Sequence, residues 1–195
     1  MIEPHWKNYT IKTTEPILTP TQCQKLIQLG QAQPKLKGET LTGKVNHTHR
    51  KNTISWIPFD KAQEIYGIIY NWMERTNINF FGFENMRATE PGQYAEYSKG
   101  DFYDWHMDIP LDMRQMPQVR KISMSLLLND PKEFKGGELE IFTGTLDTDD
   151  SDDSIQKLKQ GQLIFFASFV LHRIRPILEG NRKALIMWFG GTPFK

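Results

Sequence analysis

His106, Met107 and Asp108 place an imidazole and a carboxylate two residues apart. On a β-strand such residues share a face, so both side chains converge on one point. A second histidine from another strand would complete a 2-His-1-carboxylate set, which leaves coordination positions open for oxygen chemistry at Fe(II). The pair alone decides little. With 5 histidines and 23 acidic residues in 195, chance supplies about 0.6 such spacings. His172 is the candidate second histidine. It lies in GQLIFFASFVLHRIRPILEGNR, where a buried strand ends and a short polar strand follows. Arg182 comes ten residues later. If residues 177–181 form a hairpin, Arg182 returns on the adjacent strand beside the metal, where a guanidinium grips a carboxylate through two parallel hydrogen bonds. A metal and a fixed cation together suit a small dicarboxylate that chelates at one end. Without these neighbours, His106 and Asp108 would read as an ordinary strand pair and Arg182 as a surface turn residue. Two rival readings stay open. The same ligands could hold a hydrolytic zinc, which needs a nearby general base and leaves Arg182 without a task. They could also belong to a non-catalytic jelly-roll binding module. His5, in the N-terminal segment, and His47 and His49, an H-T-H in a polar stretch, read as solvated or lid residues.

These residues need elements to position them. Thr19-Pro20-Thr21-Gln22 is a helix start, with Thr19 as cap, Pro20 in the first turn and Gln22 completing a capping box. Leu26, Ile27 and Leu29 form its apolar face, and Gly30 lies near its end. A second helix is predicted from Asp60, with Ile65, Ile68, Ile69, Trp72 and Met73 on one buried face. From about residue 86 the pattern changes to short runs rich in β-formers: Gln93–Tyr97, Phe102–Asp108, Ile122–Asn129, Leu139–Phe142, Gln162–Phe166, His172–Arg175 and Lys183–Phe189. Turn signals such as Gly136-Gly137 and Glu179-Gly180-Asn181 separate them. The expected fold is mainly β (α+β), a sandwich or jelly roll with helices packed on one sheet. A single domain is expected over 1–195, helical over about 1–85 and with its jelly-roll core over about 86–192. Asp147–Asp153 reads as a solvated acidic loop whose spacing does not match an EF-hand. Lys35–Asn52, polar and carrying Gly38 and Gly43, reads as a lid over the substrate.

Apolar residues make up 38% and charged residues 24%, with a net charge of +1, so no basic excess favours nucleic acid. One cysteine, Cys23, excludes an intrachain disulfide. No signal peptide is expected, and no apolar run approaches the ~20 residues of a membrane span. A cytoplasmic protein is the expectation.

The segment Tyr97 to Asp108, YSKGDFYDWHMD, resembles the Y-x-x-G-x-x-Y-x-x-H-x-D signature of prolyl 4-hydroxylase-like oxygenases. Leu127 to Leu139 resembles their L-N-D…G-G-E stretch, and His172 to Arg182 their H-x-V-x-P-V-x-x-G-x-R. Order and spacing agree over roughly residues 15 to 192, and small bacterial and phage-type hydroxylases look most similar. The resemblance implies a double-stranded β-helix, with Fe(II) on His106, Asp108 and His172. It implies 2-oxoglutarate and O2 as cosubstrates, Arg182 on the distal carboxylate, Tyr97 on the cosubstrate, and decarboxylation to succinate. It also admits L-ascorbate as reductant. It implies a peptidyl proline as substrate, with Arg120, Trp188 and Tyr103 as substrate-binding residues. A free amino acid, a small metabolite or another protein side chain is the alternative. The paired-arginine N-x-T pattern of nucleic-acid demethylases is missing after His172. Parity puts Arg182, Ala184, Ile186 and Trp188 on one strand face. A core tryptophan and a charged strand start are the other reading of Trp188 and Arg120. Leu127 and Leu139 depart from the Tyr and Thr of some members. More of the distal-carboxylate task then falls to Arg182 and Tyr97, with Ser125 and Ser168 as further candidates.

Overall fold

A computed structural model describes residues 9–38, 48–109, 119–142 and 154–193. His5, His47, the acidic loop Asp147–Asp153 and the centre of the expected lid lie outside the described residues. In chain order the elements begin with β1 (Thr10–Lys12), α1 (Pro20–Gln31), β2 (Leu36–Lys37), β3 (Arg50–Lys51), β4 (Thr53–Ile57) and α2 (Gln63–Thr76). There follow β5 (Arg87–Ala88), β6 (Gly92–Tyr97), β7 (Phe102–His106), β8 (Arg120–Leu127), β9 (Phe134–Gly136) and β10 (Leu139–Ile141). The last are β11 (Ile155–Gln156), β12 (Leu163–Ala167), β13 (His172–Ile174), β14 (Ile177–Gly180) and β15 (Arg182–Gly190).

The major sheet runs β1-β12-β8-β15-β6-β4-β2, with β5 also pairing β15. A second sheet runs β11-β10-β13-β7-β3, and β14 pairs β9 in a small ribbon. The described strand pairs are antiparallel. Pleat alternation divides the major sheet's side chains between two cores. Leu185, Met187 and Phe189 of β15 join Ile122, Met124 and Leu126 of β8 under Leu26 of α1 and Ile65, Ile69 and Met73 of α2. The opposite face, with Ile54, Ala95, Tyr97, Leu127 and Phe166, packs onto Tyr103, Leu139, Ile141 and Ile174 of the second sheet. This is the double-stranded β-helix, helices on one outer face and the site between its sheets.

The Thr19 capping box forms as expected: Thr19 accepts from the Gln22 N–H and Gln22 accepts from that of Thr19. Gly30 is required for contact, since a Cβ there would stand 2.3 Å from Tyr94 Cγ. Four expectations are corrected. A 3-10 turn, Phe59–Lys61, precedes α2, which starts at Gln63 rather than Asp60. The stretch read as helical also contributes strands β1 to β4, too short for a periodic signal except β4. β7 ends at His106, because the Asp108 N–H leaves the ladder to donate to the Ser168 carbonyl at 2.9 Å. Residues Ile177–Gly180 pair with β9 rather than with the strand carrying Arg182. Gly180 permits this, as a Cβ there would meet the Glu133 carbonyl oxygen at 2.0 Å. No described helix is long and apolar enough to cross a membrane.

Candidate metal centre

His106 closes β7 and His172 opens β13, and the two face each other across the ladder. With Asp108 they bring three ligand atoms within 4.8 Å of one another. The Asp108 oxygens lie 3.8 Å from His106 Nε2 and 3.5 Å from His172 Nε2. Each imidazole is oriented from behind: Nδ1 of His106 meets the Asp104 carbonyl at 2.7 Å, and Nδ1 of His172 the Val170 carbonyl at 3.0 Å. A carbonyl only accepts, so both Nδ1 atoms carry a proton, and both Nε2 atoms face Asp108. Burial, with His172 alongside, pushes the His106 pKa down to about 3. Burial pushes Asp108 up, but His172, His106, Arg120 and the Ser123 hydroxyl together hold it at about 2. At neutral pH His106 is therefore a neutral imidazole and Asp108 a carboxylate, deprotonated as a metal requires.

Ser123, on β8, fixes the carboxylate: its Oγ donates to Asp108 Oδ2 at 2.6 Å and lies 2.9 Å from Ser168 Oγ. Ser168 thus stands behind the Asp108 carboxylate through Ser123. Tyr103 lies flat against His106, ring centroids 3.4 Å apart, and Phe166 lies 4.5 Å from the His172 ring.

Arg182 and Tyr97 pair across β15 and β6, and the guanidinium carbon lies 5.9 Å from the tyrosine ring centroid. Arg182 is 3% exposed. Burial lowers its pKa. Tyr97 and Glu138 are the groups whose charge acts on its guanidinium, and both favour its charged form. A buried guanidinium in that state fits an anionic ligand. Trp188 shares its strand face, ~20 Å along β15 at the other end of the interior. Arg120 stacks on Trp188 with Cζ 3.9 Å from the ring centroid, pairs with Glu90 and donates to the Asp108 carbonyl at 3.4 Å. Trp56 of β4 lies 6.2 Å from Trp188. The Arg120 Nε and Trp188 Nε1 donors are buried without a partner among the described residues.

The sequence reading missed Ser123, Glu90 and Trp56. For Ser123 a signal was available, because Ser123 and Ser125 alternate inside an apolar strand. Glu90 and Trp56 gave none, since their partners Arg120 and Trp188 are distant in the chain. His49, read as a solvated or lid residue, has its Nδ1 4.0 Å from Asp104 Oδ2.

Residues 92–190 match the model of the 2OG-Fe(II) oxygenase superfamily. A PKHD-type hydroxylase of Xanthomonas campestris pv. campestris (strain B100) is 26% identical over 179 residues, 88% of this chain and 75% of the relative. One from Idiomarina loihiensis is 38% identical over 93 residues, 47% of this chain and 38% of the relative. Among solved structures, a Pseudomonas putida prolyl-4-hydroxylase superposes with TM-score 0.69 and 21% identity, covering 94% of this chain and 93% of that one. A viral collagen prolyl hydroxylase from Paramecium Bursaria Chlorella virus-1, solved with 2OG, gives 0.70 and 22%, covering 95% and 97%. A Trichoplax adhaerens prolyl hydroxylase, in complex with a hypoxia inducible factor peptide fragment, gives 0.72 and 18%, covering 94% and 84%. The three structures share the fold. The chain belongs to the 2OG-Fe(II) oxygenase superfamily. It is an enzyme whose metal is Fe(II) and whose cosubstrates are 2-oxoglutarate and O2, which replaces the zinc-hydrolase and binding-module readings.

Proposed function

We propose that this enzyme hydroxylates a proline residue within a peptide or protein, with His106, Asp108 and His172 as the iron ligands and Arg182 and Tyr97 as the cosubstrate anchors. Bound Fe(II) supplies the redox chemistry that couples decarboxylation of 2-oxoglutarate to hydroxylation of a C–H bond. The chain's own residues do the rest. The Nδ1–H groups of His106 and His172 stay on backbone carbonyls, keeping both Nε2 lone pairs inward. Ser123 holds the Asp108 carboxylate to one rotamer. Arg182 offers its fork to the distal carboxylate, and Leu127, Phe166 and Ile174 exclude water around the reacting atoms.

The observation that carries the prolyl reading is the pair of unpartnered donors, Arg120 Nε and Trp188 Nε1. Leaving a buried donor unsatisfied costs about 1–3 kcal/mol. Two of them beside an indole wall suit a backbone carbonyl next to an apolar ring, which a prolyl residue supplies. The relatives named as prolyl hydroxylases agree with this choice. Incubation with Fe(II), 2-oxoglutarate and a library of proline-containing peptides should yield products carrying one added oxygen on proline by mass spectrometry, with Trp188→Ala losing that product. Succinate formed without any modified peptide, or oxygen added to free proline alone, would remove the peptidyl part of the assignment.

A further inference from the structure

The ladder between β7 and β13 is uneven. His172 faces His106 and Ile174 faces Tyr103, so Arg173 alone stands opposite both Asp104 and Trp105. Two residues against one make a β-bulge. On a regular strand, residues three apart point to opposite faces. Across this bulge Tyr103 and His106 both turn inward, and their rings stack with centroids 3.4 Å apart. The extra residue is therefore what aims His106 at Asp108 and His172.

The polar groups of the bulge are taken up locally. The Asp104 N–H donates to the His49 carbonyl at 2.9 Å, and the Asp104 carboxylate accepts from the Trp105 N–H at 2.8 Å. The Asp104 carbonyl meets His106 Nδ1 at 2.7 Å. Outside the sheet, Trp105 lies against the guanidinium of Arg173, whose Cζ stands 4.7 Å from the indole centroid, with Phe142 edge-on at 6.4 Å. Arg173 is itself anchored. Its Nε donates at 2.7 Å to Oε2 of Glu140, its cross-strand neighbour on β10. Glu140 is 7% exposed, and Arg175 Nε donates to the same oxygen at 2.7 Å. A chain of contacts thus runs across β10, β13 and β7 on the face turned away from the site. Trp105 immediately precedes His106 and Arg173 immediately follows His172, so the stack links the two backbone segments that carry the imidazoles.

We propose that Arg173 and Trp105 are positioning residues for the metal ligand His106: the anchored guanidinium, stacked on the indole, clamps the bulge from outside and keeps the imidazole turned inward. The inference rests on the assignment of His106 to the iron made above. Arg173 and Trp105 act through the bulge and from the outer face of the sheet.

The test is Mn(II) affinity from competition titration, alongside the melting temperature of the metal-free protein. Arg173→Met and Trp105→Leu should each weaken Mn(II) binding about fivefold, and the double variant little more than either, because both break one stack. Charge alone predicts the opposite sign, since removing a cation near the site favours a bound cation. Trp105→Phe, which keeps an aromatic face, should recover most of the affinity. Arg175→Met removes the other guanidinium on Glu140 and leaves the stack, so it should lower the melting temperature without weakening Mn(II). In the Co(II)-loaded protein, Arg173→Met should alter the visible absorption bands and Arg175→Met should not. If Trp105→Leu does not fold, Arg173→Met and Arg175→Met decide the matter, because only the first should lose metal affinity. Wild-type affinity in Arg173→Met, or equal weakening in Arg175→Met, would overturn the inference. So would a double variant near the product of the single losses, about twenty-five-fold, which would make the two residues independent. Wild-type Mn(II) affinity in His106→Ala would instead overturn the ligand assignment itself.

Discussion

Ser123→Ala isolates the support behind Asp108, the proposed metal carboxylate. Ser123 is fully buried and its hydroxyl lies 2.6 Å from Asp108 Oδ2, with Ser168 Oγ 2.9 Å behind it. A hydrogen bond to a buried charged group contributes about 1.5–3 kcal/mol to stability. Only part of that reaches metal affinity, because the bond is present with or without the ion. The part that does is the cost of ordering a freed carboxylate on binding, about 1 kcal/mol, or roughly five- to tenfold in affinity. This agrees with the low end of the effect of removing a ligand's hydrogen-bond partner. The lost donor also makes Asp108 more basic, which favours the metal and limits the loss. Mn(II) dissociation constants from competition titration should therefore rise about five- to tenfold. Ser55→Ala is the matched control. It deletes an equally buried hydroxyl bonded at 2.6 Å to the Gly30 carbonyl, in the contact between β4 and α1. Both variants should lose similar thermal stability, and only Ser123→Ala should lose metal. Equal Mn(II) affinities in wild type and Ser123→Ala, or equal weakening in Ser55→Ala, would refute the reasoning.

Gly137 has φ +68°, and a Cβ there would stand 2.1 Å from Ile177 Cδ1 and 3.3 Å from Arg182 Cδ. Gly137→Ala should therefore cost about 1–3 kcal/mol in denaturant unfolding. It should also raise the KM for 2-oxoglutarate by displacing Arg182, and an unaltered KM would count against that coupling. Acid should weaken the metal-free protein in a defined window. The pKa of His106 falls from 6.5 to about 3 on folding and that of Asp108 from 3.8 to about 2. Both shifts are downward, so their stability is present above the unfolded pKa and lost as pH falls: the His106 part between 6.5 and about 3, the Asp108 part below 3.8. The melting temperature should drop from neutral pH to about pH 4 more steeply than in His106→Gln, and parallel curves would refute the role of His106.

The grouping of His106, Asp108 and His172 was legible because their side chains are chemically unusual where they stand: polar groups at fixed spacing inside runs of strand-formers. Parity along β15 also carried correctly from Arg182 to Trp188. It could not carry to Arg120. The ladder pairs Phe189 with Ile122 but Gly190 with Arg120, so Lys121 is an extra residue. The bulge reverses the alternation, sending Lys121 toward Phe83 among the helix-side residues and Arg120 to the interior face over Trp188. One inserted residue leaves no trace in composition or period. Asp108 was grouped correctly with His106 for a partly wrong reason: the strand stops before it, and hydrogen bonds to Ser168 and Ser123 aim it instead. Serines 45 residues apart carry no mutual signal in the chain.

The division of labour between the sheets follows from these contacts. Both imidazoles stand on the second sheet, at the ends of β7 and β13. Asp108, although it follows β7, is tied to the major sheet through Ser123 on β8 and Ser168 just after β12. Arg182, Tyr97 and Trp188 stand on the major sheet as well. A metal held by the three ligands would therefore bridge the two sheets where their shared core gives way to polar groups. Folding must bring the sheets together before the ligand set exists, and ion binding in turn favours the closed arrangement. The cross-sheet tie through Asp108 would place such a metal against the major sheet, which also carries Arg182.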